Sequence, residues 1–120
     1  MSCSDFYTLI NAARAEHDRR PLRVNRALAH RAHQHSEAMA GDSSLYHTDN
    51  LEVILDEVAP GWSIGGENVG VGGSVEAIFH AYMRSRAHRR NILRRSFTHV
   101  GVGCTWSGDG YLWDTMDFYG

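Results

Sequence analysis

A carboxylate and an amide stand among glycines in the stretch GGENVGVGG. Five of its nine residues are glycine, and only Glu67 and Asn68 are polar. Glycine weakens a strand and costs backbone entropy, so such a run needs a physical reason. Val69 and Val71 alternate with glycine, as in a short buried strand. We therefore interpret the stretch as a strand that passes close to other backbone, with Glu67 at its start and Asn68 bracing a neighbouring loop.

A serine and a histidine are spaced for contact in SRAHRRNIL. Ser85 and His88 are three residues apart, which sets a hydroxyl beside an imidazole if this turn is helical. Such a pair becomes a nucleophile only with an orienting group and an oxyanion donor. The sequence has no GxSxG motif, and Ser85 also suits the N-cap of the following helix. The spacing favours the cap.

Other histidines are further candidate ligands for a metal. The chain contains eight, including His47 in the turn-forming stretch LYHTDN, and loops on a rigid scaffold often carry functional side chains. His30 and His33 lie three apart and share a helix face, but neither a carboxylate nor a cysteine stands at a matching offset. We interpret that pair as part of a solvated face.

Charge and composition exclude several classes of protein. The net charge is -2, and no phosphate-binding glycine motif is present, so we expect no nucleic-acid partner. Three arginine pairs form small basic patches, which we interpret as solvated faces or local anion contacts: Arg19–Arg20, Arg89–Arg90 and Arg94–Arg95. The sequence has no transmembrane run and no export signal, so we expect that any export segment was removed or never existed.

The two cysteines leave their pairing open. Cys3 and Cys104 are too far apart in sequence for a zinc or CxxC redox motif. A disulfide between them would suit an exported protein, and two unpaired buried thiols would suit any compartment.

The elements that must position these residues are helices followed by a hairpin. Periodicity and caps predict helices over 5–17, from after Asn25 to 40, and from Ser74, with shorter helical segments over 51–58 and 88–93. Strands are predicted over 67–71, 98–106 and 111–119, with a hairpin turn at 107–110. We expect the glycines of the first strand to pack beside Gly101–Gly103. The pattern is that of one α+β domain over residues 1–120, with a sheet between helices.

Five stretches in order give the chain a family resemblance. HSEAMA, YHTDN, GENVGVG, AHRRNIL and FTHVGVG resemble the CAP superfamily of cysteine-rich secretory, antigen 5 and pathogenesis-related proteins. The opening LINAARAEHDRRPLRVNRALAHRA is similar to the bacterial SCP-domain branch. The resemblance spans nearly the whole chain. It implies an α-β-α sandwich with a small, mainly antiparallel sheet, and an extracellular or cell-envelope location.

The resemblance also implies a central cleft with two histidines and two acids, sometimes holding a divalent ion. The matching positions are His47, Glu67 and His88, while the second acid falls near Ser85, so three of four positions are kept. Two imidazoles and one carboxylate suit zinc with water in the fourth position, and the lost acid should weaken binding. Without a metal, the same residues form a polar network in which Glu67 fixes the imidazoles. We expect no required cofactor, and a cleft lined by His47, Glu67, Asn68, Ser85 and His88.

Three functions follow from the resemblance and the residues. The first is a secreted or surface-attached, non-enzymatic domain that binds a small molecule, a lipid or an extracellular protein, with or without zinc. The second is a hydrolase, either metal-assisted or a peptidase or esterase that uses Ser85, His88 and Glu67. The third is a structural module of a larger cell-envelope protein.

Overall fold

The computed structural model describes residues Met1 to Gly120 and contains five helices and four strands. These confirm the predicted mixture of helices and strands, with bounds that differ from the predicted ones by a few residues. Only β1, two residues long, was not predicted. The elements are α1 (Asp5–Glu16), β1 (Arg23–Val24), α2 (Arg26–Asp42), α3 (Leu51–Val58), β2 (Gly65–Gly72), α4 (Val75–Arg84), α5 (Arg86–Leu93), β3 (His99–Trp106) and β4 (Leu112–Tyr119). No helix combines the length and the apolar character that crossing a bilayer requires.

The strands form one sheet in the order β1-β3-β4-β2. β1 pairs with β3 in parallel, and the other pairs are antiparallel. All residues of β4 from Leu112 to Phe118 are buried, which requires cover on both faces of the sheet. Helices α1, α4 and α5 cover one face and α2 and α3 cover the other, so the predicted α-β-α sandwich is confirmed.

The main hydrophobic core lies between the sheet and the layer of α1, α4 and α5. Leu112, Met116 and Phe118 of β4 point into this core, as the alternation of the strand predicted. Phe6 and Ile10 of α1 meet them from the helical layer, and both are fully buried. The intervening residues of β4 therefore face α2 and α3.

The expected contact of β2 with Gly101–Gly103 is wrong. β2 pairs along its whole length with β4, which places Glu67 opposite Asp117, and β4 separates β2 from β3. The glycine pattern of two strands does not tell which strand lies between them, because each glycine-rich strand also packs against a helix.

The glycines of β3 instead admit helix α2. A Cβ atom built on Gly101 would lie 2.5 Å from the backbone nitrogen of Ala29, and one on Gly103 would overlap the backbone of His33. In the same contact, the Ser36 hydroxyl donates a 2.7 Å hydrogen bond to the carbonyl of Gly103. At the start of α2, the side chain of Asn25 caps the helix as predicted, accepting from the backbone N–H of Leu28 at 3.0 Å. The position of α2 is thus fixed against the sheet backbone itself.

A disulfide joins Cys3 to Cys104, so of the two alternatives for the cysteines the bridge is the one present. The two Cα atoms are 5.9 Å apart, and 101 positions separate the residues in sequence. The bond ties the segment before α1 to the middle of the sheet. Since it closes nearly the whole chain into a loop, it restricts the unfolded state strongly.

Replacing Gly103 by alanine should destabilise the protein by about 3 kcal/mol or more, because the added methyl overlaps helix backbone that cannot move aside. Gly73→Ala is the matched control. A Cβ at Gly73 meets no atom within 4 Å, and a surface substitution of this kind changes stability by about 0.5 kcal/mol or less. Urea unfolding under oxidising conditions measures both. Equal midpoints for the two variants would contradict the close packing of α2 on β3.

Candidate functional site

Glu67 is the buried anchor of the predicted cleft. It is the third residue of β2, and its side chain is only 5% exposed. Its Oε1 accepts hydrogen bonds from His47 Nδ1 and from the backbone N–H of Thr48, both at 2.8 Å. Its Oε2 accepts from the Thr48 hydroxyl at 2.6 Å. One carboxylate thereby fastens the segment between α2 and α3 to the edge strand of the sheet and orients the exposed imidazole of His47.

A second carboxyl group lies beside Glu67. Asp117 stands directly opposite on β4, is buried, and shares a hydrogen bond with the Glu67 carboxylate. Burial, together with the hydrogen bond to Glu67 and the charge on it, raises the pKa of Asp117 well above its usual range. Burial also raises the pKa of Glu67, but hydrogen bonds from Asp117, Thr48 and His47 lower that pKa by more. The pair therefore shares one proton and one negative charge, and the opposite shifts favour the proton on Asp117.

His88 and Ser85 form the second contact of the site. Ser85 occupies the N-cap position of α5, yet its side chain makes no capping hydrogen bond. Its Oγ lies 2.9 Å from Nδ1 of His88 instead. The predicted N-cap position of Ser85 is thus confirmed, but its hydroxyl contacts the imidazole of His88 and not the helix backbone. Burial, and then the nearby charge of His47, lowers the pKa of His88, which favours the neutral imidazole.

Asn68 joins the strand of the site to the helix that carries His88. Its side chain is fully buried and donates to the carbonyl of His88 at 3.1 Å. Asn91 donates to the Asn68 side-chain oxygen at 2.9 Å and to the Glu67 carbonyl at 3.3 Å. A Cβ at Gly66 would lie 2.9 Å from Asn91 Oδ1, so the glycine there makes room for this bracing. Asn68 holds α5 against β2.

An apolar groove of about 250 Å³ leads to His88. Tyr82 forms its inner wall, and a Cβ at Gly70 would lie 2.8 Å from the tyrosine ring, so the glycine of β2 lets this ring approach the strand. Ser85 and His88 are the polar end of the groove. The other lining residues are Leu45, Val69, Val71, Ile78 and Ala81.

Tyr82 is hydrogen-bonded to a buried acid in the sheet. Its hydroxyl donates to Asp114 Oδ2 at 2.8 Å, while Oδ1 of the same carboxyl has no hydrogen-bond partner. Asp114 is fully buried, and this burial raises its pKa to about 8. Asp114 is therefore a neutral acid at and below neutral pH, placed beneath the wall of the groove.

Several residues of the site were not found from the sequence: Thr48, Tyr82, Asn91, Asp114 and Asp117. The detectable signal was LWDTMDF, in which two acids interrupt a strand that is otherwise mostly apolar. Acids in a strand buried on both faces must be neutral or hydrogen-bonded, which makes them candidates for a functional site.

The predicted site residues form two pairs: His47 with Glu67, and Ser85 with His88. The structure does not gather His47, Glu67 and His88 into a three-ligand metal group, and no three or more His, Cys, Asp or Glu side chains are placed to hold an ion. Both Glu67 oxygens accept hydrogen bonds from the segment of His47 and Thr48 instead. Glu67 also makes no hydrogen bond to His88, so the Ser85–His88 contact lacks the orienting acid of a catalytic triad.

Comparison with known proteins agrees with this architecture. Residues 7–118 match the sequence model of the CAP, or cysteine-rich secretory protein, family. The protein YkwD of Bacillus subtilis is 31% identical over 117 residues, which are 93% of this chain and 44% of that protein. An extracellular SCP-domain protein from Bacillus anthracis superposes with a TM-score of 0.81 at 25% identity, over 98% of this chain and 39% of that one. The chain spans less than half the length of both.

An outer surface protein of Borrelia burgdorferi is similar in fold alone. Its TM-score is 0.86 at 13% identity, and the superposition covers 97% of this chain and 90% of that one. The fold is therefore maintained where little of the sequence is shared.

The buried acid Asp114 should make the stability of the protein depend on pH. Because its pKa is raised from 3.8 to about 8, the unfolded chain releases the proton at a lower pH than the folded protein does. The stability that this proton contributes is complete at a pH below the ordinary pKa of 3.8, and it is lost as the pH rises towards 8. In Asp114→Asn, which is neutral throughout, we expect a smaller loss of stability over this interval.

Urea unfolding at a series of pH values measures this difference. Asp49→Asn, which changes an exposed acid, is the control and should follow the wild type. Parallel curves for the wild type and Asp114→Asn would contradict the assignment of a neutral buried acid.

Proposed function

The chain belongs to the CAP, or cysteine-rich secretory protein, family, and from this we propose that it is a secreted or cell-surface domain that binds a ligand without catalysing a reaction. The location is supported by the description of the Bacillus anthracis relative as extracellular. The binding role is supported by a single observation, the apolar groove that ends at His88.

The chemistry of the groove selects its ligand. Its walls are mainly aliphatic and aromatic, and two polar side chains, Ser85 and His88, stand at one end. Such a site takes a molecule with an apolar body and a hydrogen-bonding head, which includes short lipid chains. Leu45 and Val71 are 45% and 37% exposed at the rim, so apolar surface remains in water until a ligand covers it.

A series of alkyl carboxylates from hexanoate to dodecanoate tests the groove by calorimetry. Each methylene that enters should strengthen binding by about 0.8 kcal/mol, or about fourfold, until the groove is full. Ala81→Phe fills the groove and should abolish this trend. Ala77→Phe is the matched control, because Ala77 is exposed one turn earlier on α4 and does not line the groove. Affinity that is independent of chain length, or equal in both variants, would reject a groove for apolar ligands.

We also propose a divalent metal, such as zinc, between His47 and His88. With the Nδ1 atoms of His47 and His88 directed to Glu67 and Ser85, each imidazole keeps Nε2 for a metal. A carboxylate behind a ligating imidazole orients the ring and makes it more basic, so Glu67 fits as a positioning residue. The two imidazoles would hold the metal, with water or ligand atoms in the remaining positions. A bound zinc would supply Lewis acidity to a ligand head group.

Zinc titration by calorimetry tests the metal. His47→Ala and His88→Ala should each abolish zinc binding. Glu67→Gln should weaken it about 10- to 100-fold, because the His47 imidazole loses the carboxylate that orients it. His80→Ala is the control, since His80 is exposed on α4 and does not line the groove. Equal zinc affinity in His47→Ala and His80→Ala would overturn the two-histidine assignment and leave the alkyl carboxylate result unaffected.

A further inference from the structure

A second groove, unlike the first in chemistry, lies between the segment after α1 and the segment before β3. Its volume is about 730 Å³, and its lining is strongly basic. Four arginines line it, from two separate parts of the chain. The lining residues are Asp18, Arg19, Arg20, Pro21, Arg23, Arg95, Phe97, Thr98 and His99.

The positive charge of this groove is not neutralised within the protein. The close contacts between basic and acidic side chains are Arg31–Glu57, His33–Glu37 and His47–Glu67, none of which involves the groove. The guanidinium groups of Arg20 and Arg23 make no hydrogen bond, and both residues are exposed. Asp18 is the single carboxylate of the lining. In a chain with a net charge of -2, four arginines facing one acid are a local concentration of charge.

A buried arginine builds the walls of the groove. Arg14 is 1% exposed and donates from Nε to the carbonyl of Arg20 at 2.7 Å. Its Nη1 donates to the carbonyls of Ile92 and Arg94, both at 2.9 Å, and its Nη2 to that of Phe97 at 3.5 Å. These bonds tie both walls to one guanidinium. The exposed arginines are therefore presented by a rigid frame, which reduces the entropy lost when they bind a ligand.

We propose that this groove binds a phosphate-bearing anion. Guanidinium groups form paired hydrogen bonds with phosphate oxygens, and several of them around one space match an anion with oxygens in several directions. All 12 basic residues of the chain are arginine, and Arg20 and Arg23 offer this planar fork without another partner. The guanidinium groups of Arg19 and Arg95 also donate to backbone carbonyls of the groove walls and their surroundings, and they add positive charge. The groove shares no residue with the cleft at His88, and the proposal does not depend on the function of that cleft.

Calorimetry with tripolyphosphate at low and high salt tests the groove. We expect salt-sensitive binding that Arg20→Gln/Arg23→Gln weakens about tenfold or more, since each loses a charge-assisted contact. Arg89→Gln/Arg90→Gln is the matched control. It removes the same charge from an adjacent pair of exposed arginines outside the groove and should retain the affinity of the wild type. Arg95→Gln tests the opposite wall independently and should also weaken binding.

Vesicles separate the two sources of a phosphate. A lipid head group is identified if the wild type sediments with phosphatidylglycerol vesicles and the groove variants sediment with them less. Phosphatidylcholine vesicles should then bind neither the wild type nor the variants. Binding of tripolyphosphate without vesicle binding identifies a free phosphate. The proposal is wrong if the wild type binds neither probe at low salt, or if the groove double variant and the control double variant bind equally.

Discussion

The contact between helix α2 and the glycines of β3 is the constraint on which the cleft depends. With no Cβ atoms at Gly101 and Gly103, the backbone of the helix lies directly on the strand, and the Ser36 hydroxyl fixes its position along the sheet. The segment after α2 then has a defined starting point. It reaches the edge strand β2, where Glu67 holds Thr48 and His47. A thicker layer between helix and sheet would displace this whole segment from Glu67.

The polar side of the cleft is set by a strand that does not line it. β4 is buried on both faces and carries Asp114 and Asp117, one directed to each face of the sheet. Burial keeps both carboxyl groups protonated, so Asp117 can donate to Glu67, and Asp114 lies under the hydroxyl of Tyr82. The charge of Glu67 is thus retained because its neighbour is neutral.

The sequence was sufficient for the family and for every element except β1, because local signals carry them. Asn25 and Ser74 cap their helices as predicted, and the alternation of Leu112, Met116 and Phe118 correctly predicted the core face of β4. The partner of β2 was beyond local reasoning, since strand order depends on contacts between distant segments. Alternation also says nothing about the acids of β4, whose burial requires cover on both faces. Arg14, a basic residue in the last turn of helix α1, has the pattern of a surface residue.

Arg14 and Glu67 show two outcomes of the same physical problem. Each is a buried charge that remains ionised because several hydrogen bonds replace water, carbonyl oxygens around Arg14 and hydrogen donors around Glu67. Each fixes a segment that presents ionisable side chains to solvent. Glu67 accepts a hydrogen bond from His47 and so orients its imidazole. Its negative charge is opposite to that of a protonated His47, so it reduces the positive potential in the cleft. Arg14 has the same sign as Arg20 and Arg23. A carboxylate in its place would cancel part of their potential, whereas an anchor bound to neutral carbonyls keeps the groove positive.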